Sequence, residues 1–263
     1  MNYSFSAEEQ LWFFTLLLTV PRILGAFLAM PFLGNTVLPG LARNAIVITL
    51  AALAAPITHG YVEQVPMDAL QIGFIIIKET AIGFMMGYMI GVPFWAVASA
   101  GFWVDLQSGK MSAQMFSNVL ADTTSPLGDL LAKLAVTLLF TTGGFFIIVE
   151  ILLKSYQIWP VHTFLPSMDI EGASFFLKQF ALIFSVAVLI GGPIIATMFI
   201  VELGAAIITR YVPQLNVFIL MMPIKAGIAA LLMVYYVTYI SRYLMDSFLK
   251  FGDSFQVLES VFK

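Results

Sequence analysis

The sequence predicts an all-α, membrane-associated fold of kinked hydrophobic helices, and three observations predict it. Hydrophobic residues fill 60% of the 263 positions and charged residues 10%, against roughly 45–50% and about 25% in soluble domains. Seven runs, 23–42, 44–62, 80–104, 134–149, 179–201, 211–224 and 226–241, contain no Asp, Glu, Lys or Arg. Pro21, Pro31, Pro56, Pro93, Pro193 and Pro223 fall in or beside these runs, where proline bends a helix. A bilayer-spanning helix needs about 20 apolar residues, so the chain holds about six helices and no separate soluble domain. A mean hydropathy of +0.97 excludes a water-soluble globule.

The elements follow from where charge and turn residues interrupt the apolar runs, because backbone groups in lipid find partners only within a helix. The first helix is expected near 8–30. Glu8 and Glu9 precede its apolar run and the first basic residue is Arg22, unlike the basic opening of a signal peptide, so the segment reads as retained. A turn from Gly34 to Gly40 leads to a second helix near 41–60, and an acidic loop with Glu63 and Asp68 to a third near 69–100. In the third, Gly83, Gly87 and Gly91 recur every four residues. That spacing clears one stripe of side chains and lets two helix backbones touch, without naming the neighbour. A polar loop from Asp105 to Ser125 precedes a fourth helix near 127–153, and a loop from Lys154 to Gly172 carries Tyr156, Trp159, Pro160 and His162. Helices near 174–209 and 215–250 form a hairpin around a turn at Val212–Asn216. Over 241–263, Leu244, Phe248, Phe251, Phe255, Leu258 and Phe262 recur at alternating spacings of four and three. This marks an amphipathic tail, interrupted at Gly252.

Arg22, Lys78, Glu79, Glu202 and Lys225 interrupt otherwise apolar stretches. Each costs roughly 2.5–3.5 kcal/mol at a helix centre in lipid, so each is expected to face protein or water. Internal ion pairing and a subunit interface both satisfy that demand. Loop charge leaves the orientation open: with the N-terminus outside, four basic residues lie on the inner side and five on the outer, and the positive-inside rule needs a clear excess.

Several function classes fall away. A net charge of −3 argues against nucleic acid, which selects a basic surface. The chain has no cysteine, hence no thiolate chemistry. His59 and His162 stand far apart, so no metal and no cofactor is expected. An intramembrane enzyme would need a Ser/His, His/Glu or paired-Asp constellation, and none occurs at a recognisable spacing. A self-sufficient secondary transporter would show internal repeats, and none is visible. No phosphate-binding GxxxxGK[ST] loop is present.

A set of short motifs carries a resemblance. Arg43-Asn44-Ala45-Ile46 opens the second helix; Glu79 precedes the glycine stripe, which ends at Pro93-Phe94-Trp95; Gly101, Asp105, Gln107 and Gly109 follow. Then come Ser155-Tyr156-Gln157-x-Trp159-Pro160, Pro213-Gln214-x-Asn216-x-Phe218 and Lys225. In this order, over about residues 20–230, they resemble the FliR/SctT proteins of the type III export apparatus. Ser155-Tyr156-Gln157 and Arg43-Asn44-Ala45 look more like the injectisome (SctT) branch than the flagellar (FliR) branch.

The resemblance implies a single integral membrane domain over 1–263, with an SctR-like part (1–173) followed by an SctS/FliQ-like hairpin (174–250) turning at Pro213, Gln214 and Asn216. It implies a subunit of a cone-shaped export gate in the bacterial inner membrane, projecting toward the periplasm. SctR-type (FliP-like) and SctS-type (FliQ-like) subunits would complete the gate, with SctU-type and SctV-type proteins nearby and unfolded secreted proteins as cargo. In such a family the loop at about 105–125 plugs the channel. Here that role would fall to Met111, Met115 and Phe116, whose adaptable apolar side chains suit a seal.

Overall fold

A computed structural model describes residues 6–33, 39–62, 69–109, 125–163, 170–211, 217–253 and 255. Seven α-helices follow in order among the described residues, with no strand: α1 (Ala7–Ala29), α2 (Gly40–Val62), α3 (Ala69–Ser108), α4 (Pro126–Thr141), α5 (Gly144–Ile158), α6 (Ile170–Tyr211) and α7 (Val217–Leu249). A short 3₁₀ turn, Pro31–Leu33, follows α1. Five helices are long and apolar enough to cross a membrane, or six if α4 and α5 count as one broken span.

The helix starts have local chemical causes. Ser6 caps α1 in a reciprocal box: its hydroxyl accepts from the Glu9 amide, and the Glu9 carboxylate accepts from the Ser6 amide at 2.8 Å. The Ser-x-x-Glu signature for this device stands in the sequence. Ser125 caps α4, with Pro126 in the first turn where proline is tolerated. Pro21, Pro56, Pro93, Pro193 and Pro223 all lie within helices that continue past them.

Three boundaries differ from the sequence expectation. The helix expected near 69–100 runs on to Ser108, because Asp105 and Ser108 have buried partners and do not belong to a solvated loop. The helix expected near 127–153 is two helices. Gly143 sits at φ +77°, a left-handed conformation that glycine adopts without strain, and the chain breaks there. The second of these extends to Ile158, so Ser155, Tyr156 and Gln157 are helical and not part of a loop.

The chain folds as two compact units. Met1–Gly91, Gly143–Leu177 and Leu249–Lys263 make one, and Val92–Thr142 with Lys178–Phe248 the other. In the first, α2 packs along α1 and touches α5, around a core that includes Leu18, Ile23, Phe27, Ala54, Ile148 and Tyr156. Trp159 meets Phe255 of the tail edge-on, with ring centroids 6.1 Å apart. In the second, Phe94 stacks on Phe248 at 5.5 Å, and Val97, Leu131, Ile194 and Leu244 are buried. Of the tail stripe, Leu244, Phe248, Phe251 and Phe255 are buried; Leu258 and Phe262 lie outside the described residues.

Candidate functional site

The charges that interrupt the apolar helices gather into two polar clusters, one in each unit. In the first unit, Arg22 and Glu79 have fully buried side chains, and Arg22 Nε donates to Glu79 Oε2 at 2.6 Å. Arg22 Nη1 donates to Ser155 Oγ at 3.1 Å and Nη2 to the Trp159 carbonyl at 2.7 Å. The guanidinium carbon lies 4.2 Å from the centre of the Tyr156 ring, a cation–π distance. Tyr156 in turn donates its hydroxyl to the Thr19 carbonyl at 2.7 Å. Lys78 pairs with Glu79 Oε1 at 2.9 Å and donates to the carbonyls of Val161 and Thr163 at 2.7 and 2.8 Å.

This geometry explains a motif that spacing alone left opaque. Ser155, Tyr156 and Trp159 enclose one arginine with a hydroxyl, a ring face and a carbonyl. Buried charge is tolerated only when paired and fully hydrogen-bonded, and α5 supplies what Glu79 does not. The sequence showed Arg22 and the Ser155–Pro160 motif separately, but no period connects positions 133 and 137 residues apart.

The glycine stripe meets α1. A Cβ on Gly83 would fall 1.8 Å from the Arg22 carbonyl oxygen, one on Gly87 2.2 Å from that of Ala26, and one on Gly25 2.3 Å from that of Thr80. The two helix backbones therefore touch at three glycines, one of them on the opposing helix, and the same crossing brings Arg22 to Glu79. Gly91, the third of the stripe, is also buried.

In the second unit, Lys225 of α7 pairs with Glu202 of α6 at 3.2 Å. Gln107 of α3 completes this cluster: its side-chain Nε2 donates to Glu202 Oε2 and its backbone carbonyl accepts from Lys225 Nζ, each at 3.2 Å. Lys225 is buried, whereas the Glu202 side chain stays 44% exposed. Close by, the fully buried Asp105 carboxylate accepts from Ser125 Oγ and the Leu127 amide, both at 2.7 Å. A Cβ on Gly101 would meet the Gly128 backbone at 2.6 Å.

Met111, Met115 and Phe116, the expected plug residues, lie outside the described residues, as do the hairpin-turn residues Pro213, Gln214 and Asn216. The two histidines sit in aromatic contacts. His59 stacks on Trp12 at 4.1 Å with Nδ1 3.2 Å from Thr15 Oγ1, and His162 stacks on Tyr61 at 5.3 Å. Among the described residues, no group of three or more His, Cys, Asp or Glu could hold a metal ion.

The bacterial export proteins, family 1, match the chain over residues 13–251. The Yop proteins translocation protein T of Yersinia pestis is 39% identical over 232 residues, 87% of each chain. The surface presentation of antigens protein SpaR of Salmonella typhimurium is 30% identical over 216 residues, 82% of this chain and 80% of its own. The flagellar biosynthetic protein FliR of Bacillus subtilis is 24% identical over 221 residues, 83% of this chain and 84% of its own.

Proposed function

Because the chain belongs to the bacterial export proteins, family 1, we propose that it builds, with SctR-type and SctS-type subunits, the channel through which unfolded proteins leave the cytoplasm. It is a type III secretion export apparatus protein, a structural component and not an enzyme. It is a multi-pass protein of the inner membrane. One observation carries the reading: the injectisome relative matches at 39% identity across 87% of both chains, so whole-length correspondence, not one motif, supports the role. The flagellar alternative draws on the FliR relative at 24%.

The physical design supports a subunit in a larger assembly. Arg22, Lys78 and Glu79 are answered inside the chain, while Phe13, Phe74, Phe146 and Tyr235 point outward and need lipid or partner helices to cover them. Glu202 and Lys225 are the pair proposed to reach a subunit interface, since the Glu202 carboxylate is half-exposed and is the one charge within residues 179–209 of its helix. SctU-type and SctV-type proteins attach to the same complex, which projects toward the periplasm. The segment containing Met111, Met115 and Phe116 plugs the resting channel, and residues 174–250 act as an SctS-like hairpin facing the next subunit.

Native mass spectrometry of the tagged chain, co-expressed with the other genes of its secretion operon, tests the assembly. One copy with several SctR-type and SctS-type copies is expected; a stable monomer or homodimer without them would overturn the reading. Companions from a flagellar operon would move the assignment to the FliR branch. For the plug, deletion of 110–118 is expected to raise ion leakage through the assembled gate, and unchanged leakage would refute it.

A further inference from the structure

We propose that Asp105 is a positioning residue whose carboxylate ties the end of α3 to the start of α4, fixing the separation at which the chain leaves one helix and enters the other. The consequence for the channel rests on the plug reading above; the tie itself rests only on described residues.

The first turn of a helix leaves backbone amides without intrahelical partners, and at α4 those of Leu127 and Gly128 find side-chain oxygens. Pro126 has no N–H. The Leu127 amide donates to Asp105 Oδ2 at 2.7 Å, the Gly128 amide to Ser125 Oγ at 3.0 Å, and the Asp129 amide to the Ser125 carbonyl at 2.8 Å. Ser125 is thus the ordinary local cap. Asp105 is a second cap from another helix, 20 residues from Ser125 and 22 from Leu127. The Ser125 hydroxyl joins the two, donating its one proton to Asp105 at 2.7 Å while accepting from Gly128.

The α3 backbone is built to bring the carboxylate there. Gly101 lies one turn before Asp105 on the same face, and a side chain at Gly101 would strike the Gly128 amide nitrogen at 2.6 Å. Gly128 returns the contact, with Ala98 O 3.0 Å from where its own Cβ would stand. Close backbone approach and a buried anion at a helix N-terminus reinforce each other. On the far side of Asp105, Ser108 Oγ donates to the Asp105 carbonyl at 2.8 Å and holds the last turn of α3.

The test uses the absence of cysteine in the chain. Spin labels are introduced through Leu106→Cys and Leu130→Cys, both exposed sites on the two helices, and their separation is measured in the full chain in nanodiscs. The parent is expected to show one narrow distance. In Asp105→Ala, a longer second population is expected to rise about a hundredfold, reflecting the loss of two charge-assisted bonds. Asp105→Asn, which keeps an acceptor oxygen, is expected to restore the single distance. If Asp105→Ala does not fold, Ser125→Asp decides: it preserves the local cap but sets a second carboxylate against Asp105, so the longer distance is expected. A single narrow distance in Asp105→Ala, or in Ser125→Asp where that variant must decide, overturns the assignment. Leakage through the assembled gate is read in parallel and is expected to rise in Asp105→Ala but not in Asp105→Asn. A leak-neutral deletion of 110–118 would sink the plug reading while leaving the distances, and the tie, intact.

Discussion

Replacing Glu79 with leucine tests the buried cluster most directly. The substitution puts an apolar side chain of similar helix propensity into α3 but leaves two cations, Arg22 and Lys78, facing a site with no carboxylate. Arg22 retains Ser155 Oγ and the Trp159 carbonyl, and Lys78 retains the carbonyls of Val161 and Thr163. Those acceptors carry partial charge only. Removing one partner of a buried ion pair costs about 3–5 kcal/mol, which at about 2–4 °C per kcal/mol for a chain of this size lowers Tm by roughly 6–20 °C. Tryptophan fluorescence of the purified chain in detergent reads the transition, since Trp159 belongs to the cluster. The triple variant Arg22→Met/Lys78→Met/Glu79→Leu is expected to regain at least half of the loss, because apolar replacement of every member of a buried ionic cluster is often nearly neutral. A Glu79→Leu protein melting within about 2 °C of the parent would refute the view that this carboxylate neutralises the cluster.

Three further outcomes follow from the same geometry. Gly83→Ala would set a carbon 1.8 Å from the Arg22 carbonyl oxygen, so α1 and α3 must part; the expected loss is about 1–3 kcal/mol, seen as a lower Tm. Gly227→Ala meets nothing within 4 Å and is expected to gain up to about 1 kcal/mol of helix propensity in the isolated chain; a higher Tm with reduced co-purification of partners would mark α7 as an interface there. The Glu150–Lys154 pair is 2.6 Å long but about 60% exposed on each side; Glu150→Gln is expected to shift stability by no more than about 0.5 kcal/mol, measured by the same melt.

The helices were legible because lipid-facing and core-facing runs both exclude charge, and charge is easy to see. Their ends were less so. Asp105 and Gln107 read as the start of a polar loop, yet both are helical and bonded, since partners from α4, α6 and α7 satisfy them. Gly143-Gly144 sat in an apolar run with no charge to mark it, and only the left-handed backbone at Gly143 reveals the break between α4 and α5. Sequence spacing showed that Gly83 and Gly87 clear a stripe but could not name α1 as the neighbour. The meeting of Arg22 with Glu79 and Ser155 is likewise a tertiary fact, invisible to any local period.

The arginine cluster also sets a schedule for synthesis. Glu79 lies 57 residues after Arg22, and Trp159 lies 137 after it. At about 5–20 residues per second, the ribosome delivers the carboxylate roughly 3–11 s after the arginine and the last carbonyl roughly 7–27 s after it. Until then α1 carries an unmatched guanidinium that pure hydrocarbon would reject. The arginine gains its ionic partner once α3 has emerged, and its last carbonyl only after α5. Biogenesis of the chain is in this sense a waiting process, timed by the slowest partner of one side chain.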